Sequence, residues 1–120
     1  MNQADVAVLP SGALTETKTV DLDNLVGPRG RLCTHCSAAE DYVTVTPVIY
    51  GLTRAGNETE IARGLPISGP GEFELLVDPQ ALAVDREVVP SFLPRRLRVK
   101  FLHSGADKSI TLDSTLQLSS

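Results

Sequence analysis

Residues 95–120 read RRLRVKFLHSGADKSITLDSTLQLSS, and their alternation decides the fold class. Leu97, Val99 and Phe101 fall on one side of an extended chain, with Arg96, Arg98 and Lys100 on the other. That is the two-residue period of a half-buried strand. Ser104-Gly105-Ala106-Asp107 turns the chain, and residues 109–118 return with Ile110, Leu112, Leu116 and Leu118 on one face. A single hairpin with one apolar face is marginal in water, so these residues demand further strands.

Those strands are found by working outward. Residues 72–77 alternate cleanly, with Phe73, Leu75 and Val77 inward and Glu72 and Glu74 outward. Residues 41–52 form the strongest strand: Val43, Val45 and Ile49 oppose Thr44, Thr46 and Tyr50. Pro47 has no N–H for a ladder and predicts a bulge or an edge there. Residues 54–57 (Arg-Ala-Gly-Asn) are a turn, and residues 58–63 return as the partner strand. Residues 5–9 and 14–20 are β-prone and separated by Pro10-Ser11-Gly12, a turn signal. Residues 21–40 lack periodicity and are expected to be a long loop, with at most a short helical turn near residues 37–40. Residues 78–94 hold three prolines, and residues 81–84 are one helical turn or a connecting strand. The expected fold is all-β, one antiparallel sandwich or jelly-roll-like barrel of seven to eight strands with an extended N-terminal arm. The chain divides into an arm (1–20), a long loop with Cys-x-x-Cys (21–40) and a sandwich body (41–120).

Composition agrees with one soluble domain: 120 residues, 42% hydrophobic and 22% charged. Five aromatic residues (Phe73, Phe92, Phe101, Tyr42 and Tyr50) and no Trp disfavour base-stacking platforms and aromatic-lined sugar sites. The net charge of −4 argues against nucleic acid as a partner, since Lys and Arg carry that affinity. The charge is polarised. Residues 1–25 hold Asp5, Glu16, Asp21 and Asp23 against Lys18, whereas residues 95–100 hold four bases and no acid. Residues 1–20 contain no signal-peptide pattern, and no apolar run is long enough for a membrane span.

Leu32-Cys33-Thr34-His35-Cys36 is the one string that looks like chemistry. Structural zinc needs four ligands, and the only candidates are Cys33, Cys36 and His103 with a carboxylate, or two chains each giving a pair. A redox role needs the pair at a helix start within a βαβ unit, which is not the pattern here. Packed or loop thiols are therefore the leading reading, with no cofactor expected. Phosphate-binding glycine loops and a nucleophile elbow are missing. A His-assisted nucleophile would have to use His35 or His103, and His103 ends a strand where a solvent-exposed or capping imidazole is expected. The acid pairs Glu58/Glu60 and Glu72/Glu74 are read as solvated, so the chain is expected not to be an enzyme.

The basic strand is expected first as a solvated charge ladder, with Arg96, Arg98 and Lys100 facing Glu72 and Glu74 if those strands are neighbours. A protein interface is the second reading. With its extended arm and the closing pair of strands in RRLRVKFLHSGADKSITLDSTLQLSS, the chain resembles the small β-sandwich decoration or cement proteins of tailed-phage heads. The resemblance is one of size and architecture. It implies a non-enzymatic virion protein, assembled in a host cytoplasm, that staples neighbouring major capsid subunits and associates with itself. No nucleic acid or membrane partner is implied. The arm (Val6, Val8, Leu14 and Val20), the loop (Arg29 and Arg31) and the basic strand (Arg95, Arg96 and Arg98) are the expected contact residues. The alternatives are another small virion part, such as a tail or head–tail adaptor protein, and a ligand-binding β-sandwich module.

Overall fold

The computed structural model describes residues 3–79, 88–89, 91–105 and 108–120. The strands are β1 (Gln3–Leu14), β2 (Lys18–Asp23), β3 (Arg29–Ala39), β4 (Val45–Leu52), β5 (Glu58–Arg63), β6 (Gly71–Val77), the two-residue β7 (Val88–Val89), β8 (Arg96–His103) and β9 (Ile110–Ser119). One sheet runs β1-β9-β3-β6-β7 and the other β2-β8-β4-β5. All pairings are antiparallel except that of β6 with β7. Setting β7 aside, this interleaving of two four-stranded sheets is a jelly roll. The expected all-β sandwich is present, in its jelly-roll form. Residues 81–84, for which a helical turn or strand is expected, lie outside the described residues.

The closing hairpin behaves as its alternation requires. Leu97, Val99, Phe101, Ile110 and Leu116 are fully buried, and Leu112 and Leu118 nearly so. They meet Leu32, Val45, Ile49, Leu75 and Val77 from the neighbouring strands in one core between the sheets. Facing inner surfaces of two sheets pack in this way because every second residue of each strand points there. Pro47 stays opposite Phe101 on the β8 side and is accommodated where the β5 ladder ends. Its carbonyl accepts from the Gly64 N–H just beyond β5, and the ladder resumes only at the Val45–Ile67 bridge.

Three expectations are corrected. Residues 21–40 are not a long loop: they hold the end of β2 and all of β3, a central strand paired with both β6 and β9. Its inward positions are Gly30, Leu32, Thr34 and Cys36, and only one of these is a large aliphatic, which hides the alternation. Pro10-Ser11-Gly12 does not turn the chain. β1 runs through it with register shifts between Ala7 and Leu9 and between Leu9 and Gly12, so the proline sits in a bulged edge. Finally, β6 and β8 are in different sheets, so Glu72 and Glu74 do not face the basic strand.

Two polar devices close the sandwich. Asn24 is buried after β2, where its Nδ2 donates to the carbonyls of Gly27 (2.6 Å) and Leu93 (3.3 Å). Its Oδ1 accepts from the N–H groups of Val26 and Gly27, and its own N–H donates to the Arg95 carbonyl. One side chain thus fixes the β2–β3 connection against the segment entering β8. Inside the five-stranded sheet, Thr34 and Ser114 are register partners whose hydroxyl oxygens lie 3.1 Å apart. Ser114 also donates to the Cys33 carbonyl at 3.1 Å, so Thr34 is the donor within the pair. Among the described residues no buried side-chain polar atom lacks a partner.

Candidate functional site

The outer face of the four-stranded sheet carries the basic strand. Asp21 of β2 lies directly opposite Arg98 of β8, and Tyr50 of β4 lies on the other side of Arg98. Arg98 forks onto Asp21, with Nε to Oδ1 at 2.7 Å and Nη2 to Oδ2 at 3.0 Å. Its Nη1 crosses β4 to Glu58 at 2.8 Å. Lys100 reaches the same carboxylate at 2.8 Å and lies 5.1 Å from the Tyr50 ring centroid. The Arg98 hydrogen bonds hold the Asp21 carboxyl below the usual carboxylate range, and those of Lys100 and Arg98 do the same to Glu58. The same bonds raise Arg98 further above its already high value. A charge ladder therefore exists on β8, with partners on β2 and β5.

This geometry divides the expected contact residues. Arg98 is engaged by two carboxylates of its own chain. Arg96 stands opposite Asp23 and donates to the Thr53 carbonyl at 3.2 Å, and both Arg95 and Arg96 are exposed. Arg29 and Arg31 lie on the outer face of the five-stranded sheet, 3.3 Å from Asp78 and 3.9 Å from Glu74. Both belong to a strand, not to the expected loop. Together with Gln3, Asp5 and Gln117 they line a shallow polar depression on that face. Val8 is buried, and Val6, Leu14 and Val20 are partly buried and packed on the core. Val8 is thus turned away from a partner, while Val6, Leu14 and Val20 keep part of their surface exposed. The segment also leaves toward a neighbour the backbone edge of β1, which ends the five-stranded sheet.

The zinc candidates do not converge. Residues three apart on a strand point to opposite faces, so Cys36 enters the core while Cys33 faces outward. Burial pushes both thiols up; for Cys33 the Glu74 carboxylate adds to it. His103 uses both ring nitrogens at the β8–β9 turn, where Nδ1 accepts from the Gly105 N–H and Nε2 therefore donates to the Lys108 carbonyl at 2.8 Å. Of the two states expected of it, solvent-exposed or capping, this is the capping one. Among the described residues, no group of three or more His, Cys, Asp or Glu is placed to hold a metal ion. The strand does bring together one arrangement that spacing alone did not suggest. Cys33 and His35 share the outer face of β3, and Asp113 Oδ2 lies 3.9 Å from His35 Nδ1. The raised thiol pKa opposes the thiolate that a nucleophile needs.

Sequence reasoning missed Tyr42. It lies in the turn between β3 and β4 with a backbone φ of 65°, and its side chain is 93% exposed. Nothing in Asp41-Tyr42 signals a left-handed residue, which favours Gly, Asn or Asp. Phe92 is the other strongly exposed aromatic among the described residues, 60% exposed on the segment entering β8. No described helix is long and apolar enough to cross a membrane.

Neither a protein-family profile nor a curated protein sequence matches this chain. Its fold is similar to solved structures of infectious bursal disease virus. With the Gx strain the likeness covers 97% of this chain and 31% of the viral chain, at 10% identity and a TM-score of 0.51. The Gt strain matches over 97% of this chain and 28% of the other, at 14% identity and a TM-score of 0.39. A VP2 subviral particle of the same virus matches over 96% and 29%, at 14% identity and a TM-score of 0.38. The chain spans about a third of the length of the viral chains it matches, and what the Gx likeness establishes is a shared all-β fold.

Proposed function

We propose that this chain is a non-enzymatic structural protein of a virus particle, bound to a capsid in the manner of the decoration or cement proteins of tailed phages. In that role it holds neighbouring major capsid subunits together and occurs in many copies. The observation that carries the reading is the jelly roll itself, whose likeness to a chain of the infectious bursal disease virus Gx strain runs over 97% of its length. The surface chemistry supports it. Asp21 and Glu58 already occupy Arg98 and Lys100, which favours a protein partner over a polyphosphate. The outer edge of β1 supports it as well. Pro10 and two bulges interrupt the second half of the strand, while residues 3–7 pair without a bulge to β9 on one side and end the sheet on the other. Open edges of this kind accept a strand from a neighbour, with backbone pairing supplying affinity.

The test is occupancy of a shell. Purified protein is added to particles assembled without it, and bound chains are counted against the major capsid protein. Saturation at a fixed ratio to the capsid subunit is the expected result. Saturation at only a few copies per particle would place the chain at a tail or head–tail junction, and no saturable binding would overturn the virion reading. Deleting residues 1–20 is a poor probe of the arm, because Val8 and Leu9 of β1 belong to the core. Charging the exposed edge, as in Ala7→Lys, keeps those residues in place.

A further inference from the structure

The two ends of the sandwich carry complementary features that the reading above does not use. At one end, the turn before β4 presents the Tyr42 ring to solvent with a left-handed backbone. A turn of that conformation is better served by glycine or asparagine, so the tyrosine is kept at a cost in backbone strain. Glu40 and Asp41 precede it, both exposed, and Lys108 Nζ stands 6.0 Å from the ring centroid. Exposed aromatic rings on strained backbone mark places that meet something else, and Tyr is among the residues that anchor interfaces.

At the other end lies an apolar groove of about 360 Å³, walled by Leu52, Ile61, Phe92 and Pro94, with Thr59 and Glu60 beside them. Gly51 allows the groove to form. A Cβ there would stand 3.0 Å from Pro94 Cγ and 3.3 Å from Ile61 Cδ1, tighter than ordinary packing. The segment carrying Phe92 is pinned beside it, since Leu93 is buried and its N–H donates to the Pro28 carbonyl. Arg54 and Arg95, both exposed, flank the groove residues in sequence. β4 separates the two features: it starts three residues after Tyr42 and ends at Leu52 in the groove, roughly 25 Å of extended chain.

We propose that Tyr42 of one copy seats in this groove of a second copy, giving a head-to-tail contact between identical chains. The occupant is a second copy because one chain supplies both halves at ends that cannot reach each other. The ring meets an apolar groove, and Glu40 and Asp41 meet Arg54 and Arg95. The phenol O–H donates to an oxygen of Thr59 or Glu60, so the ring's polar tip is not stranded. Such a contact is heterologous: it closes into a ring if the rotation permits and otherwise continues as a filament. The acid–base match predicts weaker association as salt rises. The inference concerns the free protein and stands apart from the virion reading.

The experiment is a mixing test by analytical ultracentrifugation. The wild-type chain should associate as concentration rises. Tyr42→Gly removes the ring and suits the observed φ; Phe92→Glu charges an exposed wall of the groove. Each should weaken association roughly 30-fold, the loss expected of an anchor residue, while circular dichroism stays that of the wild type. An equimolar mixture retains one intact ring and one intact groove and should give a two-chain species that grows no further. A monomeric wild type, single variants that still associate, or a mixture that stays monomeric would each overturn the proposal.

Discussion

Thr34 and Ser114 are the polar pair in the middle of an otherwise apolar sheet face, and their hydrogen bonds run in one direction. Thr34 donates to Ser114, and Ser114 donates to the Cys33 carbonyl. Ser114→Ala therefore strands the Thr34 hydroxyl and leaves the Cys33 carbonyl without that donor. The expected cost is about 1–3 kcal/mol, the range for an unpaired buried polar group. Adding Thr34→Val removes the stranded hydroxyl and should recover part of the loss, measured as urea midpoints of the single and double variants. Neither residue stood out in the sequence, because a buried hydroxyl pair depends on which strands become neighbours. Tyr42 was equally hidden, since Asp41-Tyr42 carries no local signal of its positive φ. The Cys33–Cys36 spacing is the opposite case, conspicuous in the sequence although packed or loop thiols were its leading reading. It suits a metal knuckle on a loop, and on a strand it sends the two thiols apart.

At the scale of elements, β8 and β9 were legible because aliphatics and charges alternate without exception along residues 96–101. β3 was not, because Gly30, Thr34 and Cys36 take inward places that a periodicity reading assigns to large aliphatics. The salt ladder was legible as chemistry but not as pairing, since only the jelly-roll order says that β8 lies between β2 and β4. Its pH dependence follows from that order. Asp21 and Glu58 titrate lower in the folded chain than in the unfolded one. Their contribution is therefore complete above the ordinary carboxylate range of about pH 4 and is lost as pH falls through the depressed values. The melting temperature should drop more steeply below about pH 4 for the wild type than for an Asp21→Asn, Glu58→Gln double variant. Parallel curves for the two proteins would remove the ladder from the acid response.

For the molecule as a whole, the jelly roll sorts the charge that the sequence showed only as a polarised chain. On the four-stranded sheet Asp21, Glu58 and Glu60 are matched by Arg98, Lys100 and Arg63. The five-stranded sheet displays Asp5, Glu72, Glu74 and Asp113 with Arg29, Arg31 and His35, so its outer face is the more acidic of the two. The body has extents of 40 × 32 × 22 Å, one sheet neutralised within itself, and in β1 the edge strand that the proposed role uses. The most direct measurement is a pair of electron cryomicroscopy maps, from particles made with and without the gene for this chain. If the chain decorates the capsid as proposed, the maps differ by a density of this size and jelly-roll shape, repeated on the capsid lattice at sites touching more than one capsid subunit. Two maps that superimpose with no such density, from particles free of the chain, would contradict the proposal.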